Sequence, residues 1–215
     1  MENIICKLSN INKNYKDNKS LDNISLDIYS GEVLGVRGIN GAGKSTLLGI
    51  LAGCIRMDGG KIEFAEGIKN HIAFVPQELS LYNDLTGFEN LKFWGLALGM
   101  HQEQIKIRSR WLLSQLNLFE KRNDIVSTYS GGMKRRLHLA TALMLTPKLL
   151  LLDEPTVGAD NLSIELITNM IKHLQKQGTT IVLTSHQAGE LESMSSRIVT
   201  LSLGKIVEVL DYGRI

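Results

Sequence analysis

The nine residues Gly38-Ile39-Asn40-Gly41-Ala42-Gly43-Lys44-Ser45-Thr46 constrain the fold more than any other part of this 215-residue chain. The segment fits the pattern G-x-x-x-x-G-K-[S/T], in which glycines let successive backbone N–H groups curl around phosphate oxygens. In such a loop Lys44 is expected to reach the β- and γ-phosphates, and Ser45 to offer its hydroxyl to Mg²⁺. The alternative is an ordinary glycine-rich turn between a strand and a helix.

The segments on either side of the loop favour the phosphate-binding interpretation. Val33-Leu34-Gly35-Val36 has the composition of a buried strand, and Thr46 to Ala52 is expected to form a helix that stops at Gly53. Such a helix turns the positive end of its dipole toward a bound anion. The order strand, loop, helix therefore predicts a nucleotide phosphate site.

The remaining apolar patterns predict an α/β fold with a P-loop NTPase core. Residues from Ile4 to Val36 alternate between apolar and polar side chains, which indicates short antiparallel strands. Further strands are predicted at Lys61–Phe64, His71–Val75, Leu149–Leu152, Ile181–Thr184 and Ile198–Leu203. Helical stretches separate the later strands, as in βαβ units with a mainly parallel sheet. We therefore expect such a sheet beside an antiparallel β subdomain.

A helical insert is predicted in the middle of the chain. Between about Leu79 and Leu118 the apolar period changes from 2 to 3.6. No proline-rich or Gly/Ser-rich linker divides the sequence, so residues 1–215 are expected to form one nucleotide-binding domain with a helical subdomain at about 79–145. Its apolar residues form either a core or, in part, a groove for a partner helix: Leu81, Tyr82, Leu85, Phe88, Phe93 and Trp94.

Charge and cysteine content limit the classes of protein to which this chain can belong. The 24 basic and 22 acidic residues nearly balance, which gives no general attraction to nucleic acid. The basic cluster Lys134-Arg135-Arg136 is expected to form a solvated surface. Cys6 and Cys54 lack metal-ligand spacing, and the absence of a secretory signal indicates the cytoplasm. Apolar runs fall short of the roughly 18 residues that span a bilayer, so any membrane role is expected to require a partner.

Two carboxylates end the apolar strand Leu149–Leu152. Asp153 and Glu154 are thereby placed at the carboxyl edge of the sheet, where ligands of α/β folds bind. Asp153 is expected to orient Mg²⁺ or its water, and Glu154 to orient or deprotonate the attacking water. The alternative is that these acids merely end the strand.

The segment Tyr129-Ser130-Gly131-Gly132-Met133-Lys134-Arg135-Arg136-Leu137 precedes this strand at the spacing of the ATP-binding-cassette signature. Over essentially its whole length the chain resembles the ATP-binding subunits of ABC transporters. Gln77 matches the family's Q-loop, Asp160 its D-loop and His186 its switch histidine, while Tyr15 resembles the aromatic residue that stacks on adenine. Each residue alone has a simpler structural explanation, but their order and spacing favour the family.

This resemblance implies a site for ATP and Mg²⁺ that two cassettes share. It implies phosphate contacts from the loop residues Gly38, Asn40, Gly41, Gly43, Lys44, Ser45 and Thr46. Gln77 would contact the metal, and Gln77, Glu154 and His186 would act in hydrolysis. Ser130, Gly131 and Gly132, with a helix beginning near Met133 and with Asp160, would close on the ATP of a second copy. The partners implied are a homodimer or pseudo-dimer of cassettes and an integral membrane permease at the inner face of the membrane.

Two departures from the commonest signature narrow the choice of subfamily that the chain resembles. Tyr129 replaces a leucine and Met133 replaces a glutamine, and Ser-Gly-Gly-Met followed by basic residues is similar to drug, antibiotic and bacteriocin-resistance exporters. Met133 is alternatively a neutral packing residue on its own helix. We therefore expect the ATPase subunit of an exporter. A soluble ABC ATPase without a transport role and an ATP-sensing regulatory module are the alternatives.

Overall fold

The computed structural model describes residues 3–16, 18–185 and 188–213. In this part of the chain the strands are β1 (Ile4–Tyr15), β2 (Asn18–Tyr29), β3 (Val33–Arg37), β4 (Gly59–Phe64), β5 (Ile72–Val75), β6 (Leu149–Asp153), β7 (Thr180–Thr184), β8 (Arg197–Ser202) and β9 (Lys205–Asp211). The helices are α1 (Lys44–Leu51), α2 (Gly87–Ala97), α3 (Gln102–Gln115), α4 (Gly131–Ala142), α5 (Asn161–Lys176) and α6 (Ala188–Met194). Of the helices in the described residues, none has the length and apolar character needed to cross a membrane.

Contacts divide the chain into two compact units. The first comprises residues 1–74, 148–154 and 174–215, and the second comprises residues 75–147 and 155–173. Both β-sheets belong essentially to the first unit, together with the phosphate loop and α1. The second unit contains α2, α3, α4 and most of α5.

A three-stranded antiparallel sheet in the order β2-β1-β4 confirms the predicted β subdomain. The alternation along β1 and β2 places apolar side chains opposite one another, as in the pairs Leu8 with Leu26 and Ile11 with Ile24. These four side chains are almost completely buried, so the face they share lies in the core. The period of 2 along the sequence is therefore explained by one buried sheet face.

The second sheet has six strands in the order β5-β6-β7-β3-β8-β9. Strands β6, β7, β3 and β8 run parallel, as predicted, whereas β9 runs antiparallel to β8 at one edge. The sequence pattern missed β9, because its side chains, including Val207 and Val209, are half-buried or exposed. An edge strand with so little burial shows no clear apolar alternation.

The parallel register brings functional residues to one edge of this sheet. Strand β6 is buried along its whole length, which explains its continuous run of leucines. It pairs with β7 so that Asp153 lies opposite Thr184. Strand β3 ends at Arg37, directly before the phosphate loop. The carboxyl ends of β3, β6 and β7 therefore meet at the same edge.

Helix α2 of the second unit begins at a strong capping residue, Thr86. Thr86 accepts a hydrogen bond from the backbone N–H of Glu89, whose carboxylate accepts one in return from the backbone of Thr86. Helix α2 approaches α3 closely at Gly95, where a side-chain carbon would lie 2.7 Å from Ile105. Helices thus occupy the region where the period of 3.6 predicted them, while the limits of the subdomain at about 79–145 stay a prediction.

The basic cluster Lys134-Arg135-Arg136 is not the solvated surface that we expected. Arg136 is only 5% exposed, and its Nη1 donates to the carbonyl oxygens of Leu116 at 2.7 Å and Asn117 at 3.1 Å. These two carbonyls follow the last turn of α3, where backbone acceptors lack helical partners. The expectation was wrong because charge in a sequence does not reveal which cations bind buried carbonyls.

His138, two residues after Arg136 on α4, makes the free energy of unfolding sensitive to pH. Burial, and next the positive charge of Arg135, lower the pKa of His138 to about 4. The unfolded chain takes up this proton below about pH 6.5, before the folded chain does. We therefore expect His138 to destabilise the fold progressively from about pH 6.5 to about pH 4, by at most about 3 kcal/mol.

Urea denaturation at pH 7.5 and pH 5 measures this effect. His138→Asn keeps an acceptor at this position and removes the titration, so it should lose less stability on acidification than the wild type. The exposed His71→Asn is the matched control and should follow the wild type. Equal pH dependence in the wild type and His138→Asn would contradict this prediction.

Candidate nucleotide site

At two positions the phosphate loop packs so closely against other backbone that a side chain cannot be accommodated. A side-chain carbon on Gly38 would lie 2.5 Å from the carbonyl oxygen of Leu201, and one on Gly43 would lie 2.5 Å from that of Ser20. Gly43 also has a φ of +105°, and Gly41 has a φ of +80°, both in the region that favours glycine. Packing and backbone conformation thus require glycine in this loop.

Helix α1 begins at Lys44, directly after the loop and two residues earlier than the predicted Thr46. The first backbone N–H groups of a helix have no intrahelical acceptor and suit an anion. Ser45 is exposed, and the Thr46 hydroxyl accepts a hydrogen bond from Ser20 at 2.9 Å. Asn40 is exposed at the tip of the loop. The expected arrangement of strand, loop and helix is therefore present.

The ammonium group of Lys44 is buried among oxygen atoms. Its Nζ donates to the carbonyl oxygens of Gly38 at 2.9 Å and Ile39 at 3.3 Å, and lies 3.8 Å from Oε1 of Glu154. The side chains of Lys44 and Glu154 are only 5% and 10% exposed. A buried charge is costly unless it is paired and hydrogen-bonded, and both conditions hold here. The loop lysine and Glu154, the residue directly after β6, thus form one ion pair.

Thr184, at the end of β7, organises Asp153 at the end of β6 and Glu154 directly after it. Its hydroxyl donates to Oδ1 of Asp153 at 2.7 Å and accepts the backbone N–H of Glu154 at 2.9 Å. Asp153 is 4% exposed, so this bond fixes the direction of a nearly buried carboxylate. Sequence analysis did not identify Thr184 as part of the site, although its position at the end of a predicted strand was a signal.

Glu154 adopts an uncommon backbone conformation. Its φ is +48°, in the left-handed region that residues other than glycine seldom occupy. Such conformations cost about 1–3 kcal/mol and occur frequently at functional sites. The turn at Glu154 changes the direction of the chain immediately after the buried strand. The carboxylate therefore reaches Lys44 instead of continuing the alternation of β6.

The donor atoms near the loop suit a hard cation. Mg²⁺ binds proteins through one or two carboxylates, while phosphate oxygens and waters complete its shell. The Asp153 carboxylate and the Ser45 hydroxyl are oxygen donors of this kind, and both belong to the first unit. The residues present therefore fit the metal that the sequence predicted.

Tyr15 is the last residue of β1 and is 48% exposed. The ammonium of Lys13 lies 5.3 Å from the centroid of its ring, a favourable cation–π arrangement. An exposed aromatic ring at a strand end suits stacking on a flat ligand. Its contact with adenine stays a prediction.

In the second unit, Ser130 caps the signature helix α4. The Ser130 hydroxyl oxygen accepts the backbone N–H of Met133 at 3.2 Å. Helix α4 consequently begins at Gly131, not near Met133 as we expected. Because Ser130 already uses the N–H of Met133, an anion at this helix end would meet the N–H groups of Gly131 and Gly132.

The two signature glycines have different surroundings. A side-chain carbon on Gly132 would lie 2.5 Å from Oδ2 of Asp160 and would also collide with Ser163. One on Gly131 would meet only the carbonyl oxygen of Gly158, at an ordinary 3.8 Å. Gly132 is therefore required by the fold of the chain itself, whereas Gly131, which is exposed, is not.

Asp160 caps helix α5. Its Oδ1 accepts the backbone N–H of Ser163 at 2.8 Å, and this bond is the main reason why the pKa of Asp160 is lowered. The carboxylate stays ionised and its position is set by its own helix. The D-loop aspartate thus has a structural role that is independent of any partner.

Tyr129 lies where the signature usually has leucine. Its ring is buried and its hydroxyl is hydrogen-bonded within the second unit. It is 5% exposed, and its hydroxyl donates to the carbonyl oxygen of Lys121 at 2.6 Å. Burial raises its pKa to about 12. Gly87 provides the space for the ring end, since a side-chain carbon there would collide with the hydroxyl. The tyrosine at this departure from the signature is therefore part of the packing of the second unit.

Gln77 is exposed and follows β5 closely in the chain. Its backbone carbonyl accepts a hydrogen bond from the guanidinium of Arg135 on α4. Sequence analysis missed Arg135, because a basic cluster on a helix gave no signal of this contact. The contacts of the Gln77 side chain with metal and phosphate stay predictions, and His186 lies outside the described residues.

A glycine-constrained phosphate loop, a buried lysine and an acidic strand end define a P-loop nucleotide-binding ATPase. A family described as ABC transporter matches residues 21–157. The chain belongs to this family and is an ATP-binding, ATP-hydrolysing cassette.

Individual relatives support the same assignment. The linearmycin resistance ATP-binding protein LnrL of Bacillus subtilis is 38% identical over 93% of this chain and 67% of its own length. The daunorubicin/doxorubicin resistance ATP-binding protein DrrA of Streptomyces peucetius is 33% identical over 93% of this chain and 63% of its own length. The chain thus spans about two thirds of each relative. A solved dimer of the cassette MJ0796 with ADP and Pi has a TM-score of 0.87 and 26% identity, covering 98% of this chain and 100% of that chain.

Alanine substitutions at Gly131 and Gly132 should differ in their effect on the free energy of unfolding. Gly132→Ala should lower the free energy of unfolding by about 1–3 kcal/mol, because the methyl group collides with Asp160 and Ser163. Gly131→Ala should change it by less than about 0.5 kcal/mol, since its methyl group has space. Chemical denaturation of both variants measures the difference. Equal destabilisation by the two substitutions would refute the packing argument.

Proposed function

We propose that this chain drives an exporter by binding ATP between two cassettes and hydrolysing it. The observation that carries the proposal is the buried arrangement of Lys44 and Glu154 beside Asp153. A cation positioned for phosphate oxygens and an acid positioned near it are what γ-phosphate transfer to water requires. The names of relatives that confer drug resistance support the direction of transport.

In the proposed complex, the phosphate loop supplies most of the affinity for ATP. Backbone N–H groups from Gly38 to Thr46 surround the phosphates, and Lys44 donates to the β- and γ-oxygens. Tyr15 stacks on adenine. Mg²⁺, when bound, neutralises developing charge on the phosphates, and Ser45, Asp153 and Gln77 are the residues proposed to hold it or its waters.

Glu154 is the proposed catalytic base for the attack of water. Its carboxylate orients the water molecule or accepts its proton, and Thr184 keeps the backbone at Glu154 in place. Carbonyl and phosphate oxygens are both acceptors for the Lys44 ammonium, so phosphate oxygens can replace the carbonyls of Gly38 and Ile39 as its partners. His186 and Gln77 are proposed to orient the γ-phosphate and the water.

The second half of each site comes from the partner copy in this proposal. Ser130, Gly131 and Gly132 present a hydroxyl and N–H groups to the γ-phosphate bound by the other cassette. The exposed, uncrowded backbone at Gly131 supports this role, since the fold of its own chain does not require glycine there. Asp160 is proposed to contact the opposite copy near the same nucleotide. ATP therefore stabilises a head-to-tail dimer, and hydrolysis releases it.

An integral membrane permease is the proposed transport partner, which places the cassette at the cytoplasmic face of the membrane. Exposed aromatic side chains in the second unit suit a partner helix. Tyr82 and Phe93 are 46% and 41% exposed, with ring centroids 4.6 Å apart, and Phe93 also contacts Trp94. Clustered exposed aromatic rings commonly mark protein interfaces.

Glu154→Gln tests the catalytic proposal. The amide keeps the shape of the side chain but loses its negative charge, so kcat should fall at least about 100-fold while ATP still binds. Light scattering should then show an ATP-dependent dimer that persists. Lys44→Ala should fail to bind ATP in calorimetry, and the exposed Glu66→Gln should behave as the wild type. Hydrolysis by Glu154→Gln at the wild-type rate would remove Glu154 from this role.

Recovery of the chain from native membranes tests the transport proposal. An integral membrane protein should co-purify with it in a fixed stoichiometry. Phe93→Ser should reduce that recovery, whereas Val207→Ser, a matched exposed apolar position, should not. Recovery of a soluble assembly without any membrane protein would instead favour the alternative of a cassette ATPase that moves no solute.

A further inference from the structure

The side chain of Arg135 contacts two loops that the family resemblance assigns to the nucleotide site. One guanidinium nitrogen, Nη1, donates to the backbone carbonyl of Gln77 in the Q-loop. Nε donates to the carbonyl oxygen of Val157 at 3.2 Å, at the start of the D-loop segment Val157–Asp160. All of these residues belong to the second unit. One side chain on α4 therefore joins the backbones of both loops.

The chemistry of arginine is well suited to this connection. Its guanidinium group is planar, and its donors point in fixed directions from one rigid group. Two carbonyls bound to Nε and Nη1 consequently keep a fixed separation. Lysine has one compact ammonium on a flexible stem, and glutamine has a single donor nitrogen on a shorter stem. Neither imposes the same geometry on two carbonyls.

Helix α4 also contacts each loop at a second point. The backbone N–H of Ser80, three residues after Gln77, lies 3.4 Å from Nε2 of His138, which accepts it. On the other side, Gly132 lies against the carboxylate of Asp160. Both loops are thus attached to one face of one helix. Arg135 contributes the contact that reaches both of them together.

We propose that Arg135 is a positioning residue that couples the Q-loop to the D-loop within one cassette. A displacement of the Gln77 backbone moves the guanidinium, which moves Val157 and with it the segment that ends at Asp160. This inference rests on the proposed function, because it assigns a route between two parts of the proposed ATP site. Since the phosphate loop supplies affinity for ATP, the route affects turnover more than binding.

Arg135→Gln should therefore lower kcat about tenfold and change the KM for ATP less than about twofold. Arg135→Lys should retain an intermediate kcat, because it keeps the charge and reaches one carbonyl at a time. Lys134→Gln removes the neighbouring cation on the same helix and should have wild-type kinetics. Thermal unfolding of each variant shows whether it is folded. If Arg135→Gln does not fold, the kinetics of Arg135→Lys test the inference instead.

A double-mutant cycle distinguishes coupling from a simple structural loss. Gln77→Ala and Asp160→Ala are made singly and together, in the wild type and in Arg135→Gln, and kcat is measured. In the wild type the double variant should differ from the product of the single effects by at least about fivefold. In Arg135→Gln the effects should multiply, because the guanidinium that joins the two loops directly is absent.

Unchanged kcat in Arg135→Gln, or the same non-additivity with and without Arg135, would overturn the inference. Glu154→Gln in the same assay separates this failure from failure of the proposed function. If Glu154→Gln is inactive while Arg135→Gln is normal, only the coupling route is wrong. If Glu154→Gln hydrolyses ATP at the wild-type rate, the proposed catalytic function itself is wrong.

Discussion

The phosphate loop can lie between the carbonyl oxygens of Leu201 and Ser20 only because Gly38 and Gly43 carry no side chains. The same bare backbone leaves N–H groups unobstructed and brings α1 directly after the loop. Lys44, as the first residue of that helix, is thereby directed back over the loop carbonyls and toward Glu154. Close packing, ion pairing and phosphate recognition all follow from this one steric condition.

The register of β6 beside β7 sets the positions of the two acids Asp153 and Glu154. Placing Asp153 opposite Thr184 lets one hydroxyl bind the carboxylate of one acid and the backbone of the next. The uncommon backbone conformation of Glu154 is stabilised by this contact and by the ion pair with Lys44. A conformation that costs energy locally is retained where its neighbours determine it fully.

Much of this molecule was predictable, and two of the three exceptions share one cause. The phosphate loop, the leucine strand ending in Asp153 and the helices of the second unit follow from patterns in contiguous residues. The start of α4 at Gly131 was misplaced, because the capping role of Ser130 was not considered. The buried Arg136 was wrongly taken as solvated, and β9 was missed, since neither burial of a cation nor pairing of an exposed edge strand leaves a local pattern.

The sequence by itself determined the ATP-binding-cassette family and predicted the residues of the nucleotide site, because phosphate loops and signature segments use adjacent residues whose types and spacing are visible in one dimension. Tertiary structure alone decided that Thr184 holds both acids, that Gly132 but not Gly131 is sterically required, and that Arg135 joins two loops. The physical reason is that these contacts connect residues separated along the chain. Their partners are set by strand register and helix packing, which no short motif specifies.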